Sequence, residues 1–379
     1  MPALRLLNTE SQDKADYLHN QLTTDINVPS TYWECAESYL KGVGIYDVFL
    51  IEEQDFRNYK IFLHETGSFT KKQVFERTGF LRNLQKALIR NEYKELLDEI
   101  ERCNTVQERL KGNVRNFLIR QGIHHVREID YRTRELYESE LRRTKTFSKS
   151  LEYLKTLDRI KQFDIRKEME TLSGRNKEQL KYEGQVIFLP YIPDQDIGSD
   201  FDYIQDKSEL VWDFSQKASE NLKRQIFQIL CYALRNIKDS KDRRVRYLLP
   251  LRWMYEFCIE EGIDDIERLE LEQIKKLETI VARKVVNVKN SMQIVDNSRK
   301  ILFMSGKEIH WYANVWYMER FNFAPERVNP SNPVQRLSFY EVTNERNREL
   351  LQEYMKYQVG ISDLALGNIR SQLCYIKNF

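Results

Sequence analysis

The sequence predicts a mainly α fold, built as tandem small helical bundles with short β segments in the connecting regions. Three observations predict it. No proline occurs from Ser30 to Leu189, a span rich in Leu, Glu, Lys and Arg, and such runs favour helices. Apolar residues recur at helical spacing, in Val106, Leu110, Val114, Phe117 and Leu118 and again in Ile274, Leu277 and Val281. One helix–turn–helix pattern also repeats along the chain.

The repeat starts at Tyr39 (YLKGVGIYDVFLIEEQDFRNYKIFL), Phe117 (FLIRQGIHHVREIDYRTRELYESEL) and Phe257 (FCIEEGIDDIERLELEQIKKLETIV). A shortened fourth copy starts at Met355 (MKYQVGISDLALGNIRSQLCYIKNF). Each places an aromatic or Met ahead of Gly-Ile, then Asp or His, then apolar residues at short intervals. Glycine supplies the left-handed residue that closes a helix, and the following Ile packs back under the turn. The glycines fall at positions 44, 122, 262 and 360, at unequal gaps, which fits several small domains rather than a solenoid of fixed period. A second similarity relates Trp212–Leu234 to Leu337–Val359. Each has a Phe two residues after a large apolar residue, then a Ser/Thr-containing start to a long amphipathic helix.

Two stretches interrupt the helical pattern. Glu183 to Tyr203 holds two prolines and a short β-like run, Val186 to Leu189. Phe321 to Phe339 holds three prolines and follows an expected short strand near His310 to Trp316. The chain is therefore cut into segments 1–103, 104–182, 183–299 and 300–379.

Composition limits the function classes. With 41% hydrophobic and 31% charged residues, the 379-residue chain can build real cores under a charged surface. The formal net charge is only +2, so nucleic-acid affinity has to come from local clusters. Five scattered cysteines without a C-x-x-C pair read as reduced thiols of a cytoplasmic protein. The start of the chain is too polar for a signal peptide, and no apolar run reaches membrane-helix length. The five histidines show no metal-ligand spacing, and no cofactor motif is present; the Ser305-Gly306-Lys307-Glu308 stretch lacks the upstream glycine of a phosphate loop.

The stretch from Leu222 to Glu278 resembles the core-binding domain of transposon- and phage-type tyrosine recombinases, and so does the segment from Leu337 to the last residue. The resemblance covers about residues 205 to 379 well, and residues 30 to 180 only through the repeat. It implies a SAM-like all-helical bundle at 183–299, the start of a second such domain at 300–379, and helical domains before them. It also implies DNA integration or transposition within a mobile genetic element, through a phosphotyrosyl link to the cut strand. The family's catalytic residues are expected in a separate domain after the core-binding one, so no catalytic residue is assigned here. His124-His125-Val126-Arg127 matches the family's His-x-x-Arg, but it sits inside the repeat turn and is read as a solvent-facing turn. The faint helix–hairpin–helix look of Leu40 to Ile45 is read as a helix C-cap.

Double-stranded DNA is the expected partner, with other recombinase subunits in a synaptic complex. The residues expected to meet it are Lys238, Lys241, Arg243, Arg244, Arg246 and Arg252, then Arg142, Arg143, Lys145 and Lys149, then Arg283 and Lys284. Such stripes release counterions from duplex DNA and give salt-sensitive affinity with little sequence preference. The competing expectation is a helical protein–protein scaffold or regulator, favoured by the near-zero net charge and abundant Glu.

Overall fold

The computed structural model describes residues 13–24, 28–66, 69–171, 182, 184–193, 201, 204 and 206–377. The protein is mainly α, about 70% helix and 4% strand. It divides into two compact units, Met1–Glu178 and Gln179–Phe379.

The first unit holds two modules of four helices. One comprises α1 (13–22), α2 (Ser30–Val43), α3 (Glu53–Thr66) and α4 (Lys71–Glu92). The other comprises α5 (Lys94–Arg102), α6 (Glu108–Arg120), α7 (Tyr131–Thr144) and α8 (Phe147–Met169). Tyr93 is at once the C-cap of α4 and the N-cap of α5, so it marks the seam. Leu18, Leu40, Val48, Tyr59, Leu63, Val74 and Leu81 bury the first core, and Val114, Phe117, Leu118, Tyr137 and Leu157 line the second. The expected cut at 103 falls at the C-cap of α5. The cut at 183 lies outside the described residues.

The second unit opens with a hairpin, β1 (Val186–Phe188) and β2 (Val211–Asp213), antiparallel with Ile187 opposite Trp212. A third module follows, formed by α9 (Glu220–Asn236), α10 (Leu249–Glu260), α11 (Leu271–Ala282) and α12 (Val288–Met304). The expected cut at 300 lies inside α12. A π-helical turn, Arg243–Leu248, leads into α10, with the Leu249 N–H reaching back to the Arg244 carbonyl. Pro250 has no N–H for the Arg246 carbonyl and its ring crowds that position. The wider π turn relieves the conflict.

A second hairpin, β3 (Val315–Tyr317) and β4 (Arg336–Ser338), sets Trp316 opposite Leu337, and α13 (Glu345–Gly360) and α14 (Leu366–Lys377) follow. The two hairpins are copies. Phe214 N–H donates to the Gln185 carbonyl at 2.9 Å, and Phe339 N–H to the Asn314 carbonyl at 2.7 Å. Both phenyl rings are fully buried. Ser219 then caps α9 and Asn344 caps α13. The similarity of Trp212–Leu234 to Leu337–Val359 is thus a repeated hairpin–helix unit.

Three of the four Gly-Ile pairs close a helix as expected. Gly44, Gly122 and Gly262 have φ of 79°, 68° and 66°. The next N–H reaches back five residues each time, from Ile45 to Leu40, Ile123 to Leu118 and Ile263 to Cys258, at 2.9, 3.1 and 2.8 Å, which is the Schellman cap. A 3-10 turn follows in each copy: Val48–Leu50, Val126–Glu128 and Ile266–Arg268. The fourth copy is a correction. Gly360 is the last residue of α13 and is not left-handed, and Ile361 is 68% exposed instead of tucked under. The reason is topological: α13 is the counterpart of α9, which ends without this turn.

The three turns are held by one set of side-chain bonds. The first helix of each module offers an oxygen to the leading N–H of the 3-10 turn: Gln21 to Val48, Glu99 to Val126 and Gln225 to Ile266, at 2.9, 2.7 and 2.8 Å. Gln21 and Gln225 also donate to the N-cap carboxylates of Asp47 and Asp265. Glu99 instead faces His125, Nδ1 to Oε1 at 3.3 Å. The last helix satisfies the turn's carbonyls. Gln85 donates to those of Val48 and Ile51, Lys161 to Val126 and Arg127, and Arg299 to Ile266 and Leu269. Backbone groups buried without partners are costly, so this set fixes the turn between the helices.

Candidate nucleic-acid interface

The basic run after α9 does not act as one stripe. Arg243 is a correction: it is buried, and its guanidinium donates to the Ile237 carbonyl at 2.8 Å and the Lys238 carbonyl at 3.4 Å. It holds the π turn on the end of α9. Arg244 closes on Glu209 through Nε and Nη2, at 2.9 and 2.6 Å. Arg252 meets Glu256 at 3.1 Å and the Ser208 carbonyl. Arg246 and Asp242 are both half exposed and 3.4 Å apart, a contact of little energy in water. Lys238 and Lys241 are exposed and have no ion-pair partner among the described residues.

The other two clusters divide similarly. In the first unit, Arg142 pairs with Glu138 at 2.6 Å. Arg143, Lys145 and Lys149 are exposed without an ion-pair partner among the described residues. Lys161, in the same basic run, is buried in the turn of its module. In the second unit, Arg283 is exposed at the C-cap of α11. Lys284 lies 3.8 Å from Glu256 and 5.7 Å from the centre of the Trp253 ring. The fold therefore gathers Arg252 and Lys284 around one carboxylate, Glu256.

A groove beside the basic run carries residues that the clusters did not single out. Its volume is about 860 Å³. One wall is α9, with Arg224, Gln228, Tyr232 and Arg235; Tyr247 stands on the π turn, and Lys300 comes from α12. Arg224, Gln228, Cys231 and Arg235 follow helical spacing, and this is the one signal in the sequence that could have found the wall. Glu319 is the only carboxylate on the lining among the described residues, and Lys300 holds it at 3.0 Å. Arg224 donates to the Asn221 side chain at 2.7 Å, and Arg235 has no ion-pair partner among the described residues.

Near the 3-10 turn of the third module, Glu267 is buried and its Oε2 lies 2.7 Å from His310 Nδ1. Burial, reinforced by the Asp265 charge and opposed by Arg299, pushes the Glu267 carboxyl up to about 8. Burial pushes the His310 imidazole down. The contact joins the turn to the segment that leads into the second hairpin.

His125 lies between Glu95 and Glu99, at 3.1 and 3.3 Å, so the His-x-x-Arg stretch is part of a turn held by carboxylates. The five cysteines are free thiols; Cys258 is buried and its thiol is pushed up to about 12. Among the described residues, no group of three or more His, Cys, Asp or Glu gathers as a metal site, and no helix is long and apolar enough to cross a membrane. Comparison with models of protein families, with curated proteins and with solved structures gives no match.

Proposed function

We propose that this chain is the DNA-holding portion of a site-specific tyrosine recombinase, with tandem SAM-like modules that grip duplex DNA for integration or transposition. The sequence from Leu222 to Glu278 resembles that family's core-binding domain, and it folds as most of a four-helix module. One observation carries the DNA reading. Arg235, Lys238, Lys241 and Arg246 are all exposed where α9 gives way to the π turn, and a lone half-exposed ion pair, that of Arg246, screens them. Such cations exchange condensed counterions for phosphates. Strand cleavage belongs to a catalytic domain not found in these residues, and the modules serve to position DNA and to pair subunits.

The test is fluorescence anisotropy of a labelled duplex titrated at several salt concentrations. Affinity falls steeply with salt, and the triple reversal Lys238→Glu, Lys241→Glu and Arg246→Glu lowers the salt slope by about three. Absence of duplex binding at low salt, or an unchanged slope in the variant, refutes the reading. Arg243 and Arg244 are left intact because they hold the fold.

A helical protein scaffold is the second reading, and one feature favours it. Leu350, Tyr354 and Tyr357 on α13 and Ile361 just after it form a stripe and are 62%, 43%, 55% and 68% exposed. Salt-insensitive capture of a protein partner by a chain with no DNA affinity would establish that reading instead.

A further inference from the structure

We propose that the groove between α9, the π turn and α12 holds a short unpaired stretch of nucleic acid. The inference rests on the DNA reading above and adds a second mode of binding to it. Arg224 and Arg235 stand eleven residues apart on nearly the same face of α9, which is about 16 Å along the helix axis. Between them Tyr232 is 40% exposed, and Tyr247 faces the same groove from the π turn. Phe227, another aromatic on the lining, is half-buried and engaged by Tyr182 and Phe214. Gln228, Asn236 and Asn297 add amide donors and acceptors.

This set fits a strand whose bases have left their stack. A cationic groove follows the backbone, and exposed rings take the flat faces of bases, which a duplex hides. At about 860 Å³ the groove matches a ligand of a few rings, not the flank of a double helix. Glu319, the only carboxylate on the lining among the described residues, is neutralised by Lys300. Tyr232 and Tyr247 would stack bases, and Arg224 and Arg235 would meet the phosphates at either end. Exchange of strands between duplexes necessarily unpairs bases, so such a site suits the proposed role.

The experiment compares a fluorescein-labelled oligo(dT) of about twelve nucleotides, within the site sizes of single-strand binders, with a duplex in parallel anisotropy titrations. Tyr232→Ala is expected to weaken oligo(dT) binding roughly 5- to 140-fold, the loss of one base–ring stack. Tyr232→Phe keeps the ring and keeps the affinity, and neither variant changes duplex binding. If the duplex binds and oligo(dT) does not, the groove inference falls and the DNA reading stands. If neither binds, both fall. Equal losses for oligo(dT) and duplex in Tyr232→Ala would make the groove part of the duplex site and overturn the inference. Should Tyr232→Ala fail to fold, Arg224→Glu at an exposed lining position gives the same comparison, with a selective loss of oligo(dT) expected.

Discussion

Replacing each repeat glycine by alanine separates the three true turns from the false one. Gly44, Gly122 and Gly262 have positive φ, and an added Cβ meets nothing within 4 Å at any of them. The cost is then the left-handed backbone alone, about 1–2 kcal/mol per residue. Gly360 also has open space, but it lies in α13 with no positive φ. There alanine limits the unfolded chain and suits the helix, a gain of up to about 0.5–1 kcal/mol. Tryptophan fluorescence reads the pair in the second unit well, because Trp212, Trp253, Trp311 and Trp316 lie there and only Trp33 lies in the first. At roughly 2–4 °C per kcal/mol for a unit of this size, Gly262→Ala lowers the melting temperature by about 2–8 °C while Gly360→Ala holds or raises it. Circular dichroism follows Gly44→Ala and Gly122→Ala in the first unit. A neutral Gly262→Ala, or a Gly360→Ala as harmful as the others, would refute the assignment of three turns and one helix end.

Three further outcomes test the side-chain set around the turns and its neighbour. Arg299→Met removes a charged donor from two buried carbonyls and destabilises the second unit by roughly 3–5 kcal/mol in urea denaturation; a loss below about 1 kcal/mol would make the bond set incidental. In the second module, His125→Asp sets a carboxylate against Glu99 and destabilises the first unit, whereas the double change with Glu99→Gln reproduces the Gln–Asp pairing of the other modules. The expected rescue is a coupling of about 1–3 kcal/mol, measured by a double-mutant cycle, and additive losses would count against equivalence of the modules. The Glu267 carboxyl is raised from its ordinary 4.5 to about 8 in the fold, so the folded state binds the extra proton and its stability falls as pH rises from about 4.5 to 8. His310 has the opposite sign, losing stability as pH drops below 6.5. Glu267→Gln removes the first slope, and denaturant midpoints at pH 5 and pH 8 draw together; an unchanged gap would show that the buried carboxylate is not the source.

The turn itself was legible because Gly-Ile needs particular residue types at fixed places. Its partners were not. Gln85, Lys161 and Arg299 do one job with three side chains, and Gln21 and Glu99 lie 27 residues before the turns they serve whereas Gln225 lies 41 before its own. No single pattern of letters finds them. The strand expected within Val186 to Leu189 is present as Val186–Phe188, and the one near His310 to Trp316 appears as Val315–Tyr317. Of the basic runs, charge was legible and burial was not. Arg243 and Lys161 look like neighbours of exposed cations in the sequence, yet helix phase turns them inward. Gly360 misled because the same dipeptide fell at the end of a helix with another role.

The turn's partners also set the order in which the chain can fold during synthesis. Each turn draws its acceptor from 27, 27 or 41 residues upstream. Its donor comes from 37, 35 or 33 residues downstream. A nascent chain that has made the Gly-Ile cap therefore still lacks the group that closes it. At about 5–20 residues per second, the wait for Gln85, Lys161 or Arg299 is about 2–7 s. Until then the half-made module exposes a polar seam and an open apolar face that the last helix covers. Each module is therefore expected to close only after its last helix has been made.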